Sequence, residues 1–204
     1  MRKRSAAGAA QVVLAAMFLL TTPLALAADG RVTVAESAIP LGDFELTDQN
    51  GKAIQFSSLR GKPVLVFFGF TNCPSICPAA MNELRILTES LGKNGDTVPQ
   101  VVMISVDGER DTPAVMRAYL EPLSKDFIGL TGDPRLVRDI AARFSAVFFK
   151  GIPGDDSGNY PVQHTSMIYL VDAGGTLRAS FLAALLDQMS EEIKKVAGAP
   201  AKTS

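Results

Sequence analysis

Between Asp43 and Phe56 apolar and polar residues alternate, DFELTDQNGKAIQF, and the alternation turns on Asn50-Gly51. An Asn-Gly step between alternating segments predicts a β-hairpin. After a connector, Ser57 to Lys62, the pattern becomes an unbroken apolar run, PVLVFFGF, from Pro63 to Phe70. Such a run suits a strand buried on both faces. From Pro78 to Leu91 the spacing turns helical. Met81, Leu84, Leu87 and Leu91 share one stripe, and Gly92 and Gly95 close the element. Val98 to Asp107, VPQVVMISVD, reads as a second buried strand. Asp111-Thr112-Pro113 opens a helix to about Leu123, with Thr112 as N-cap and proline in the first turn. Phe127 to Leu130 is a short strand, and Asp133-Pro134 repeats the cap-then-proline signal for a helix to about Phe144. Ala146 to Phe149 and Ser166 to Val171 are strands, Gly174-Gly175 is a turn, Thr176 to Phe181 closes a second hairpin, and Asp187 to Val196 is the last helix.

Helices that join successive apolar strands imply a three-layer α/β sheet, because a parallel pair needs a crossover that packs back on the sheet. Cys73 and Cys77 fall where the first central strand gives way to helix. In such sheets, binding crevices open at the carboxyl ends of strands.

The N-terminus follows another logic. Arg2, Lys3 and Arg4 precede the apolar stretch VVLAAMFLL at Val12 to Leu20, and Ala25-Leu26-Ala27 forms a small-x-small cleavage pattern. Residues 1–27 therefore read as a secretory signal peptide cut after Ala27. An uncleaved N-terminal anchor is the alternative. Ala9 to Ala28 is long enough to cross a bilayer, though Gln11, Thr21, Thr22 and Pro23 interrupt it. No cysteine stands at the cut, which argues against a lipoprotein. Either way the rest of the chain is exported, in a bacterium to the periplasm. The expected division is leader 1–27, linker 28–38, one globular domain 39–197 and tail 198–204. Losing the leader removes three of 20 basic residues, leaving about 17 against 21 acidic and a net charge of about −4. That balance, with no later basic run, argues against nucleic acid as a partner.

Chemistry concentrates in FFGFTNCPSICP. It holds both cysteines of the chain, each followed by a proline. A disulfide across so short a loop constrains the unfolded chain little, so a purely structural bridge is a weak reading even in an oxidising compartment. Proline is tolerated only in the first turn of a helix, so Pro78 puts Cys77 at or just before a helix start. Helix N-termini favour the thiolate. Residues four apart in a first turn point to one side, and two anionic sulfurs aimed at one point suit a soft cation. The third donor must come from elsewhere. The one histidine of the chain, His164 in VQHTSMIYL, immediately precedes the strand Ser166 to Val171. That strand is expected near the first central one, which lets His164 face the cysteine turn. Two thiolates and an imidazole favour copper, by softness for Cu(I) and by geometry for Cu(II), whereas structural zinc usually takes a fourth ligand. A loop histidine with no duty is the plain alternative. Met81, Met103, Met116, Met167 and Met189 form no array and read as packing. Asp107 and Asp111 in SVDGERDTP read as a strand end and a helix cap.

The segments GKPVLVFFGFTNCPSICP, SVDGERDTP and HTSMIYLVD resemble, in order and separation, the Sco/SenC family of copper-binding proteins, over about Pro40 to Val196. The resemblance implies a thioredoxin-like three-layer sandwich with an N-terminal β-hairpin extension. It implies that Cys73, Cys77 and His164 bind one copper, Cu(I) or Cu(II). It also implies delivery of copper to, or reduction of the thiols of, the dinuclear copper centre of cytochrome c oxidase, with that copper-centre subunit or another copper chaperone as partner. Two positions depart from the family pattern. Gln163 stands where many members carry an aspartate that would orient the histidine ring. Ser75 stands where many carry an aspartate inside the cysteine motif, and the loss of that negative charge eases thiolate formation slightly.

The main alternative is a periplasmic thiol–disulfide oxidoreductase that cycles Cys73 and Cys77. Such relatives usually carry CxxC and a cis-proline facing it; here the spacing is CxxxC, Ser166 stands near that place, and Pro161 lies earlier. A peroxidase would need threonine three residues before its reactive cysteine, where Phe70 and Pro74 stand. Copper transfer needs no covalent substrate chemistry, so enzymatic activity is not required by the main reading. The long connection KGIPGDDSGNYPV, Lys150 to Val162, reads as the segment that carries His164 into and out of the site and touches the partner.

Overall fold

The computed structural model describes residues 33–152, 160–182 and 186–198. The leader, the tail after residue 198 and the centre of the Lys150 to Val162 connection lie outside the described residues. The strands are β1 (Thr33–Pro40), β2 (Glu45–Asp48), β3 (Ala53–Gln55), β4 (Val64–Gly69), β5 (Gln100–Ser105), β6 (Ile128–Thr131), β7 (Phe148–Lys150), β8 (Val162–His164), β9 (Met167–Val171) and β10 (Thr176–Leu182). The helices are α1 (Ile76–Lys93), α2 (Pro113–Leu120), α3 (Pro134–Arg143) and α4 (Leu186–Gly198).

Eight strands form one mixed sheet in the order β1-β10-β9-β4-β5-β6-β2-β3. Its centre is β4, whose six residues are all buried, as the unbroken apolar run requires. β5 lies parallel to β4, with Val64 opposite Gln100 and Gly69 opposite Ser105. α1 is the crossover between them. β9 runs antiparallel on the other side of β4, with Phe67 opposite Ile168. This neighbour relation brings the His164 end of the chain beside the end of β4. The fold is α/β and thioredoxin-like, and the β2–β3 hairpin extends the sheet edge by pairing with β6.

Cap chemistry sets two helix starts. The Thr112 side chain accepts from the Val115 N–H at 3.4 Å, and Asp133 accepts from the N–H groups of Arg135 and Leu136 at 2.7 and 3.4 Å. Each is followed by proline, which fixes the entry angle without losing a helical hydrogen bond. Met81, Met103, Met116 and Met189 are fully buried, as packing residues should be.

Two elements differ from the sequence pattern. Residues 33–38, read as linker, belong to strand β1, which pairs with β10 through Thr33–Ser180 and Pro40–Thr176. The partner edge of β10 is distant in sequence, and a local pattern does not register it. The strand read at Ala146 to Phe149 shifts to β7, which leaves the main sheet and pairs with β8, Phe148 opposite His164.

Candidate metal centre

The turn after β4 is bolted to the end of β5 by one carboxylate. Asp111 is fully buried. It accepts the Thr71 N–H at 3.0 Å, the Thr71 hydroxyl at 2.6 Å and the Ser105 hydroxyl at 2.6 Å. Asp111 therefore serves the cysteine turn, and the capping role expected at this position falls to Thr112 alone.

Cys73 lies before α1, and Cys77 is its second residue. The two do not share a first helical turn, as their spacing had suggested. Instead the Cys73 sulfur takes the place of a cap and accepts the Cys77 N–H at 3.4 Å. Ser75 at the N-cap makes no side-chain cap hydrogen bond. The sulfurs still converge, because the cap geometry brings the side chain of one residue over the backbone of the other.

The environments of the two thiols are opposite. Burial raises the Cys73 thiol, but hydrogen bonds from Cys77 and from the backbone of Ser75 and Ile76 outweigh it and hold the net value below the ordinary thiol range. Burial drives Cys77 far above that range, and Cys73 and Asp111 add to the rise. Cys77 is 0% exposed. The expectation of two ready thiolates thus holds in direction for Cys73 and is corrected for Cys77. Desolvation at the second helical residue outweighs the dipole.

His164 ends β8. Its Nε2 stands 3.5 Å from the Cys77 sulfur, and its Nδ1 is 3.2 Å from the Thr165 carbonyl. A carbonyl only accepts, so the proton sits on Nδ1 and the Nε2 lone pair is left toward the sulfurs. Gln163, beside the histidine, is exposed. Orientation of the ring comes from the Thr165 carbonyl and from the edges of Phe67 and Phe70, at centroid distances of 5.9 and 5.8 Å. Burial holds the imidazole below its ordinary value, against smaller upward contributions from the backbone of Thr165 and Phe68. It is neutral at pH 7, the form that binds metal.

Donor atoms of Cys73, Cys77 and His164 all lie within 4.8 Å of one another. Thiolate and imidazole bonds of roughly 2.0–2.3 Å place donors about 3.5–4 Å apart around a trigonal ion, so small side-chain rotations suffice. The donor set is soft and three-coordinate, which suits copper better than a structural zinc.

Sequence reasoning missed the neighbours of this cluster. The Tyr160 hydroxyl and the Arg110 Nε both donate to the buried carboxylate of Asp107. The Arg110 guanidinium stands 3.8 Å from the centroid of the Tyr160 ring. The available signal was the position of Tyr160 four residues before the histidine, but nothing local identifies its partner.

A crossover α/β sheet with a CxxxC turn at the carboxyl end of its central strand, completed by an imidazole entering beside the neighbouring strand, defines a thioredoxin-like protein with a Cys2His donor cluster. The sequence model of the SCO1/SenC family matches residues 33–199, and the chain belongs to that family. A SCO2-like protein of Rickettsia felis is 40% identical over 167 residues, covering 80% of this chain and 78% of that protein. The structure of Bradyrhizobium japonicum ScoI with copper bound superposes with a TM-score of 0.68 at 38% identity, over 76% of this chain and 98% of the other. Yeast Sco1 with copper bound gives 0.70 at 29% identity, over 80% and 94%.

Proposed function

We propose that this protein binds one copper ion through Cys73, Cys77 and His164 and passes it on during assembly of the dinuclear copper centre of cytochrome c oxidase. The observation that carries the reading is the convergence of two sulfurs and one oriented imidazole nitrogen within 4.8 Å, from elements far apart in sequence. That ScoI and Sco1 hold copper supports copper as the cargo. The leader supports work in the periplasm, with the domain either released or held at the membrane by an uncleaved anchor.

Each ligand has a distinct part. Cys77 is the interior anchor, reached only from within the site. Its proton must leave when metal enters, so uptake is coupled to proton release and favoured by rising pH. Cys73 is half-exposed and the first sulfur available to an incoming ion. With Cu(I) the bound core carries one net negative charge, partly offset by the N-terminus of α1. His164 is neutral, half-exposed and mounted on a two-stranded ribbon, so it is the ligand that an incoming thiolate or methionine of the copper-centre subunit or another copper chaperone displaces first.

The test is copper titration of the reduced mature domain beside Cys73→Ser, Cys77→Ser and His164→Ala. Loss of the Cu(II)–thiolate absorption in all three supports the site. Unchanged Cu(II) binding by His164→Ala removes the imidazole from it.

A thiol–disulfide exchange role is favoured by one observation, the asymmetry of the pair. A half-exposed Cys73 with a lowered thiol value beside a buried Cys77 resembles an attacking and a resolving sulfur. Catalysed insulin reduction by the metal-free protein, lost in Cys73→Ser, supports that role.

A further inference from the structure

The segment SVDGERDTP supplies no ligand, yet its two buried carboxylates reach the two halves of the site. Asp111 faces the cysteine side through Thr71, two residues before Cys73. Asp107, also 0% exposed, faces the histidine side. It accepts from the Tyr160 hydroxyl, two residues before β8, and from the Arg110 Nε. Arg110 is held between rings, 3.8 Å from the centroid of Tyr160 and 6.0 Å from that of Phe70, and Phe70 in turn edges His164. The Nη1 and Nη2 atoms of Arg110 are buried without a hydrogen-bond partner, which leaves Asp107 as the counter-ion of this cation among the described residues. The other stem of the ribbon is tied to the same segment. Lys150 at the end of β7 bridges Glu109 at 2.7 Å, and its Nζ stands 4.6 Å from the Tyr160 ring centroid.

The ribbon needs such ties. β7 and β8 pair over three residues each and have no hydrogen-bonded neighbour in the main sheet. A two-stranded pair is marginal by itself. Phe148 and Val162 bury apolar area against the core, but burial is non-directional and does not fix position along the surface. Directional contacts from Asp107 and Glu109 do.

We infer that the loop from Val106 to Thr112 is the spacer that sets the distance between the imidazole and the sulfur pair, with the Tyr160–Asp107 hydrogen bond as the positioning contact for His164. This inference rests on the copper reading for its consequence, because only a bound ion makes the separation matter. Loss of the contact lets the ribbon, and with it Nε2, move away from Cys77. Cu(II) depends on the imidazole more than Cu(I) does, since a thiolate pair alone satisfies the softer ion. The spacer therefore tunes which oxidation state the site prefers.

Tyr160→Phe is the decisive variant. It keeps the ring under Arg110 and removes one hydroxyl. Expected results are a fall in Cu(II) affinity of about tenfold, as for outer partners of metal ligands, a Cu(I) affinity within about twofold of wild type, and faster amide exchange at residues 162–164 in the metal-free protein. Thr71→Val acts on the sulfur side and is expected to lower both affinities together. Asp107→Asn strips the counter-ion from a buried guanidinium and is expected to unfold more readily, so it is read only beside Tyr160→Phe. An unchanged ratio of Cu(II) to Cu(I) affinity in Tyr160→Phe, with unchanged amide exchange, overturns the spacer. A wild-type protein that binds no copper overturns the copper reading instead, and the amide exchange of the metal-free variants then decides the positioning contact alone.

Discussion

A single methyl group added at Gly69 tests how closely the site is packed from below. Gly69 ends β4, and a Cβ built there would lie 2.6 Å from Phe67 Cε1, 3.2 Å from the Cys77 sulfur and 3.2 Å from Met103 Cε. Non-bonded heavy atoms rest about 3.5–4.0 Å apart, so the ring must retreat by roughly 1 Å and the other two atoms by a few tenths. All three side chains are 0% exposed, so none has solvent to move into. Overpacking of this kind costs about 1–3 kcal/mol. For a chain of this size that corresponds to a fall in Tm of roughly 2–12 °C. The same displacement reaches the donors, because Phe67 edges His164 and the Cys77 sulfur stands 3.5 Å from Nε2. Gly69→Ala should therefore shift the Cu(II)–thiolate band and weaken Cu(II) by about tenfold. Gly95→Ala is the control. Its φ of +72° is strained for alanine, but nothing lies within 4 Å of the added carbon. It should cost about 1 kcal/mol and leave the copper spectrum alone. Thermal melts of the reduced, metal-free proteins and copper titrations supply both readouts. A Gly69→Ala protein that melts with wild type and shows the wild-type band refutes the packing argument. A Gly95→Ala protein with an equally altered band shows that lost stability alone accounts for the change.

Four further outcomes follow from the thiols and carboxylates. Cys77 holds its proton more tightly in the folded state, so its contribution is fully present below the unfolded thiol value of about 8.5 and declines above it by up to about 1.4 kcal/mol per pH unit. Urea melts of metal-free Cys73→Ser between neutral and alkaline pH should show that slope, and Cys73→Ser/Cys77→Ala should lack it. Cys73 has the lowered value, so alkylation of Cys77→Ser should reach half-maximal rate at a pH below that of a free thiol, while Cys77 in Cys73→Ser resists reagent until the protein unfolds. Asp111→Asn puts an NH2 group where Thr71 and Ser105 donate and should cost about 2–4 kcal/mol in a urea melt; a loss under about 0.5 kcal/mol removes Asp111 as the bolt of the turn. Asp133→Ala deletes a cap far from the cysteine turn in sequence and should cost about 1 kcal/mol with no change in the copper spectrum.

How much was legible in the sequence depended on whether the cause was local. The apolar run of β4, the stripe of α1 and the caps of α2 and α3 were readable because each is specified by residues within one or two turns. So was the meeting of His164 with the cysteine turn, since the placement of β9 beside β4 follows from element order. β1 was not readable, because what makes it a strand is the edge of β10 far along the chain. The sign of the Cys77 shift was hidden for a similar reason. A helix N-terminus is visible in a proline pattern, but the desolvation that defeats it comes from packing around Gly69 and Met103. The Tyr160–Asp107 contact joins residues 53 positions apart and left no periodic trace.

Copper delivery and disulfide exchange draw on the same two sulfurs, so the thiols alone cannot decide between them. An exposed sulfur with a lowered proton affinity and a buried one with a raised affinity serve either task. His164 does not serve them alike. In disulfide exchange its free Nε2, 3.5 Å from the buried sulfur with Nδ1 committed to a carbonyl, can act only as a base toward that thiol. In the proposed copper site the same ring is the third ligand. It is also the least buried in its support, since β8 stands outside the main sheet while both cysteines are set by β4 and α1. A ligand that is oriented yet mounted on a separate ribbon can hold an ion firmly and still give way to a competing donor. His164→Ala therefore separates the two activities. Loss of Cu(II) with insulin reduction unchanged places the imidazole in metal handling alone, whereas parallel loss of both assigns it to the chemistry of the thiols.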